Sequence, residues 1–160
     1  MFGNRFSARV SGNGRWAAAL QGSVGTASVS VSEGHEVTFK VTDTEHGAWA
    51  VLQVSGELDL VTSPVLRQRV HDVVAEGRHS LVLDLSEVWF CDSSGVGVLI
   101  GSRRLLRSCQ GSLRLILPAR GAADGSHVNK VLGALGVRRL FEIHPDVLSA
   151  VDEDPRPLSA

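Results

Sequence analysis

The chain is short of the residues that would mark several protein classes. Its two cysteines, Cys91 and Cys109, form no CxxC pair, which excludes a disulfide framework and makes a reduced, cytoplasmic chain the expectation. Lysine occurs only at Lys40 and Lys130, the formal net charge is −1, and no Lys/Arg-rich block is present. That balance argues against nucleic acid as a partner. No apolar run approaches the ~20 residues of a membrane span. Ala17–Leu20 is too short for the apolar core of a secretory signal, so no membrane partner is expected. The histidines, at 35, 46, 71, 79, 127 and 144, show no HExxH or paired ligand spacing, and no GxxxxGK[ST] occurs. No metal and no cofactor are therefore assigned.

What is present is an ordinary globular composition. The 160 residues are 43% hydrophobic, enough for the core of one domain. Residues 1–34 are rich in Gly, Ser and Ala without sustained periodicity and read as a disordered leader. The domain is expected over 35–152, with a frayed acidic tail over 153–160. Val37, Phe39 and Val41 alternate with Thr38, Lys40 and Thr42, the pattern of a half-buried strand. Asp43 to Gly47 read as a turn, and Trp49 to Val54 as the second strand of a hairpin. Ser63-Pro64 reads as a capped helix start, with Leu66, Val70, Val73 and Val74 on one face and Gly77 as the stop. A strand over Ser80–Leu85, a helix from Ser94 to about Arg107, and a strand over Leu113–Leu117 follow. A loop at 121–125, a helix through Val128 and Leu132 ending at Gly136, a short strand over Leu140–Ile143 and a last helical turn complete the chain. Helices between strands favour parallel pairing, and the opening hairpin adds antiparallel strands. The fold class is an α/β mixed sheet packed with about four helices.

The densest chemistry lies at Trp89-Phe90-Cys91-Asp92-Ser93-Ser94-Gly95-Val96-Gly97, where a strand gives way at once to a helix. Hydroxyls and a carboxylate then stand at a helix N-terminus, where backbone N–H groups point outward. Asp92 suits the N-cap, accepting from Ser94 or Gly95. Gly95 and Gly97 each cost roughly 0.8–1 kcal/mol in a helix relative to Ala, so backbone closeness to a strand or to a docking molecule is implied. Gly97 and Gly101, one turn apart, read as packing positions, as does Trp89. The plain alternative is that Asp92-Ser93-Ser94 only caps the helix. A nucleophile elbow requires Gly two residues before the serine, and Cys91 stands there. Asp59 as a general base has no histidine evidently placed to complete a hydrolase set. Cys91 is either a reactive thiol or a small filler under the helix. Val96 is either an exposed contact or a buried one, and Ser102, Arg103, Arg104 and Arg107 give the helix a polar, basic side.

Together, Gly56-Glu57-Leu58-Asp59 and Phe90-Cys91-Asp92-Ser93-Ser94-Gly95-Val96-Gly97 resemble the STAS-domain anti-sigma factor antagonists of bacteria, over about residues 36–151. The resemblance implies a non-enzymatic STAS-like domain that binds an anti-sigma factor serine kinase and so frees a sigma factor. It implies phosphorylation by that kinase on Ser93, which ends the sequestration, and a phosphatase acting on Ser93. The implied partner surface comprises Asp59, Asp92, Ser94, Gly95 and Val96; Val96 stands where Leu is common in the family. The alternative is a constitutive STAS interaction module in a sensory or lipid-transport complex.

Overall fold

The computed structural model describes residues 25–30, 38–119 and 126–152. The expected start of the domain at residue 35, the loop at 121–125 and the tail from 153 lie outside these residues. Strands β1 (Gly25–Ser30), β2 (Thr38–His46), β3 (Trp49–Leu58), β4 (Ser80–Cys91), β5 (Ser112–Ile116) and β6 (Glu142–His144) form one 6-stranded sheet in sequential order. The first two pairings are antiparallel and the other three parallel. Helices α1 (Ser63–Ala75), α2 (Ser93–Ser108), α3 (Ser126–Ala134) and the short α4 (Val147–Ala150) connect or follow the strands.

Alternation along the strands divides the apolar residues between two faces. Leu81, Leu83 and Leu85 of β4 join Leu66, Val70 and Val73 of α1, Leu99 and Leu106 of α2, and Val128 and Leu132 of α3 in the main core. Val82 points the other way and packs with Trp49, Val51, Ile116 and Ala150 of α4. Two buried arginines tie the layers together. Arg69 of α1 donates to Asp43 of β2 at 2.5 Å. Arg114 of β5 lies 4.4 Å over the Trp49 ring and donates to the Ala150 carbonyl at 2.6 Å, fixing α4 to the sheet.

Several boundaries differ from the expectations, each for a tertiary reason. Residues 25–30, placed in the disordered leader by composition, form an edge strand whose register with β2 runs from Gly25↔Asp43 to Ser30↔Thr38. The hydrogen bonds of a partner strand supply what its weak pattern lacks. Asp43 to His46 belong to β2 rather than to a turn, because they pair as far as His46↔Trp49 and leave only Gly47 and Ala48 to reverse the chain. Ser63 is not the cap of α1; Thr62 is, without a side-chain cap bond, while the proline lies in the first turn as expected. Leu140 belongs to a 3-10 turn over Arg138–Leu140, and β6 begins only at Glu142.

The most consequential difference is β4, which runs beyond Leu85 to Cys91. Its parallel register with β3 continues to Leu58↔Cys91, with irregularities between Gln53 and Ser55 and between Gly56 and Glu57. Gly56 has φ 104, a conformation open to glycine and strained for other residues, which suits it to a bulge. Both polar motifs are thereby carried to the same carboxyl edge of a parallel strand pair, where α/β folds expose their loops.

Candidate functional site at the ends of β3 and β4

Asp92 adopts an extended conformation and caps α2, its Oδ1 accepting from Ser94 N at 2.8 Å and Gly95 N at 3.1 Å. Ser93 is the first residue of the helix and is exposed, while Asp92 and Ser94 are half-buried. The carboxylate therefore occupies two of the first-turn N–H groups that the sequence left pointing outward. Gly95 is demanded by the fold. A Cβ there would lie 2.8 Å from the Leu58 carbonyl oxygen, 2.8 Å from Leu58 Cγ and 2.8 Å from Cys91 Sγ. Its close approach is to β3, which decides between the two alternatives the sequence left open for this glycine.

The second motif organises the neighbouring loop. Asp59 Oδ1 accepts from Val61 N and Thr62 N, both at 3.0 Å. The Asp59 N–H donates to Thr62 Oγ1 at 2.9 Å, and that hydroxyl donates to the Glu57 carbonyl at 2.7 Å. This Asx-type turn leaves Leu60 and Val61 at its tip, 73% and 56% exposed. The two loops touch through the Asp92 N–H, which donates to the Leu58 carbonyl at 3.2 Å. Asp59, Asp92 and Ser93 thus belong to one edge, as their motifs suggested together.

Cys91 is a filler and not a reactive thiol. It is fully buried in the main core, and burial, reinforced by the Asp92 carboxylate, pushes its thiol up to about 12. Its backbone N–H donates to His127 Nδ1 at 3.2 Å, and the imidazole stacks on Phe90 with centroids 4.7 Å apart. β5 pairs with β4 only as far as Asp84↔Ile116, so α3 supplies through His127 an acceptor that β5 no longer offers. Sequence spacing gave no sign of this histidine's place, because the contact spans 36 positions.

Three further assignments change. Val96 is 2% exposed and belongs to the main core, so it is not a surface contact. The exposed face of α2 follows Ser93, Gly97, Gly101 and Arg104, and Val96 lies off that stripe. Gly97 and Gly101 do not serve packing among the described residues, since a Cβ at either would meet nothing within 4 Å. Trp89 is 48% exposed rather than packed. On the polar side of α2, Ser102 is buried and donates to the Val98 carbonyl at 2.8 Å. Arg103 Nε donates to the Leu140 carbonyl at 2.8 Å; Arg104 and Arg107 are exposed. Among the described residues no group of three His, Cys, Asp or Glu side chains is arranged to hold a metal ion, and no helix is long and apolar enough to cross a membrane.

Beside Ser94 a groove of ≈ 430 Å³ runs between α1 and α2, floored in part by Gly97, Val98 and Gly101 and walled by Leu60, Arg67 and His71.

Residues 41–142 match the family model described as Mlab, STAS domain. The anti-sigma-F factor antagonist RsfB of Mycobacterium tuberculosis is 32% identical over 114 residues, covering 71% of this chain and 90% of that protein. The crystal structure of an anti-sigma factor antagonist from Mycobacterium paratuberculosis superposes with TM-score 0.60 at 31% identity, covering 76% of this chain and 97% of that one. SpoIIAA, a Bacillus cell fate determinant solved in its phosphorylated form, has the same fold, with TM-score 0.53 at 23% identity and coverage of 71% and 96%.

Proposed function

Since the chain belongs to the STAS-domain family of anti-sigma factor antagonists, we propose that it binds an anti-sigma factor serine kinase and is released by phosphorylation on Ser93. Bound, it occupies the kinase and a sigma factor goes free; a phosphatase acting on Ser93 restores the binding form. The compartment is the cytoplasm, where the kinase and its ATP are found. Asp59, Asp92 and Ser94 are the side chains we assign to the contact around Ser93, with Gly95 supporting them from beneath.

The observation that carries this reading is the exposure of Ser93 as the first residue of α2, directly after a carboxylate already committed to the helix cap. In the transfer, Ser93 Oγ forms a bond to the γ-phosphorus of ATP, the bond from that phosphorus to the β,γ-bridging oxygen breaks, and the hydroxyl proton leaves to a base on the kinase. The product carries about −1.5 to −2 charges at pH 7. The helix dipole favours an anion there by ~0.3–1 kcal/mol, so the fold survives. The phosphate adds to the charge of Asp92 and Asp59 at the same edge. An interface that accommodates Ser93 neutral must then desolvate several like charges, which costs several kcal/mol and lowers affinity by orders of magnitude.

The test uses the purified protein with anti-sigma serine kinases encoded in the same genome. Titration with ADP present is expected to give a complex; with ATP the complex dissociates, and mass spectrometry finds one phosphate, on Ser93. Ser93→Ala stays bound in ATP, and Ser93→Asp binds weakly with an unchanged circular-dichroism spectrum. A phosphate on another residue, or equal affinity of wild type and Ser93→Asp, rules out the switch. A stable complex indifferent to ATP identifies a constitutive STAS module instead.

A further inference from the structure

The two exposed glycines of α2 present a cost without a packing benefit among the described residues. Glycine is the poorest helix former after proline, and at Gly95 the fold explains it through contacts at 2.8 Å. At Gly97 and Gly101 the space a Cβ would fill is open. Both line the groove between α1 and α2, one turn apart on the side of α2 that also carries Ser93 and Arg104.

Three other observations bear on what fills that groove. Ser63, 4% exposed, lines it, and its Oγ has no hydrogen-bond partner among the described residues. A buried hydroxyl without a partner is uncommon in a folded chain and marks this wall of the groove as short of one polar contact. The groove's lining holds one exposed cation, Arg67 of α1, and no acidic side chain; α2 contains no acidic residue at all, and the exposed Arg104 continues the stripe of Gly97 and Gly101 beyond the groove. On α1 the sole acid, Asp72, accepts from Gln68 at 2.9 Å. At the end nearest Ser94 the groove opens beside the exposed Leu60.

We propose that this groove seats an acidic α-helix of the partner, packed closely against the bare backbone at Gly97 and Gly101. Lining residues repeat at helical spacing on both walls, 63, 67 and 71 on α1 and 94, 97, 98, 101 and 102 on α2. The groove therefore follows two turns of each helix, about 12 Å, and small residues one turn apart let a second helix approach. Arg67 gives the lining a positive charge with no acidic side chain beside it, and Arg104 adds a second just past Gly101 on the same exposed stripe of α2; acidic side chains complement both. This rests on the proposed binding of an anti-sigma factor, and it extends the contact surface from Ser93 along α2. A phosphate on Ser93 then stands at the mouth of a groove occupied by like charge.

The experiment measures affinity for the anti-sigma kinase, with ADP and without ATP, by calorimetry. Gly97→Leu and Gly101→Leu fill the groove; each is expected to keep the wild-type Tm or exceed it and to raise Kd more than ~10-fold. Gly133→Leu, at an exposed α3 glycine that also has nothing within 4 Å, is the control and is expected to bind like wild type. Should a leucine variant unfold, Arg67→Glu in the groove lining carries the test, with an expected loss of affinity and a flatter salt dependence. Hydrogen exchange on the kinase is expected to show protection of an acidic helix. Wild-type binding with undiminished binding of the groove variants, or protection of a basic segment, overturns the groove alone. Failure of the wild type to bind overturns the antagonist function and the groove with it.

Discussion

Replacing Gly95 by alanine tests how the site is held together. The new methyl would stand 2.8 Å from the Leu58 carbonyl oxygen, Leu58 Cγ and Cys91 Sγ. None of these is the far end of a flexible side chain. The carbonyl belongs to β3 and accepts from the Asp92 N–H at 3.2 Å, and Cys91 is fully buried. Relief therefore requires α2 to move away from β3. Overpacking of this kind costs ~1–3 kcal/mol, and losing the Leu58–Asp92 bond adds about 1 kcal/mol. Better helix propensity returns ~0.8–1 kcal/mol, leaving a net loss of about 1–3 kcal/mol. In a thermal melt that is a fall of roughly 3–10 °C. Gly97→Ala has the same chemistry two residues on, with nothing within 4 Å, and is expected to gain ~0.8–1 kcal/mol. Opposite signs in one helix separate packing from propensity. A Gly95→Ala protein as stable as wild type, or moving with Gly97→Ala, would refute the close approach of α2 to β3.

Other outcomes follow from the same geometry. Asp92→Ala removes the acceptor of two N–H groups and is expected to lower stability by ~0.5–2 kcal/mol in urea titration, with Asp92→Asn recovering most of it. Val96→Asp places a carboxylate in the main core and is expected to abolish cooperative unfolding, read by near-ultraviolet circular dichroism, whereas a surface valine would tolerate it. Because its thiol is raised to about 12, Cys91 is expected to resist iodoacetamide in the native state, with no increase between pH 7 and pH 9. Cys109, only partly buried, reacts first, and both react in urea; native labelling of Cys91 ahead of Cys109 would contradict its burial.

Much of this was legible in the chain because it depends on local order. The alternation at Phe39 and Val41, the helical spacing of Leu66, Val70 and Val73, and the Asp92 cap each follow from contacts a few residues apart. Ser93 stood out for the same reason: a hydroxyl directly after an N-cap at a strand-to-helix junction is visible as a string of letters. Its pairing with Asp59 came from two motifs that resemble one family, not from any periodicity.

Tertiary structure decided what depends on neighbours remote in sequence. β4 continues through a polar stretch because β3 offers a bulged parallel partner as far as Leu58↔Cys91. β1 exists because β2 pairs with it. Val96 is buried and Gly97 bare because packing against the sheet fixes the rotation of α2, and period alone leaves that rotation free. The sequence by itself determined that Ser93 stands at the start of a capped helix, through backbone and side-chain preferences within one turn. Only the folded chain decided what surrounds that serine — a loop held by Asp59, a glycine pressed against β3, and a groove between α1 and α2 — since these come together through sheet register and helix packing.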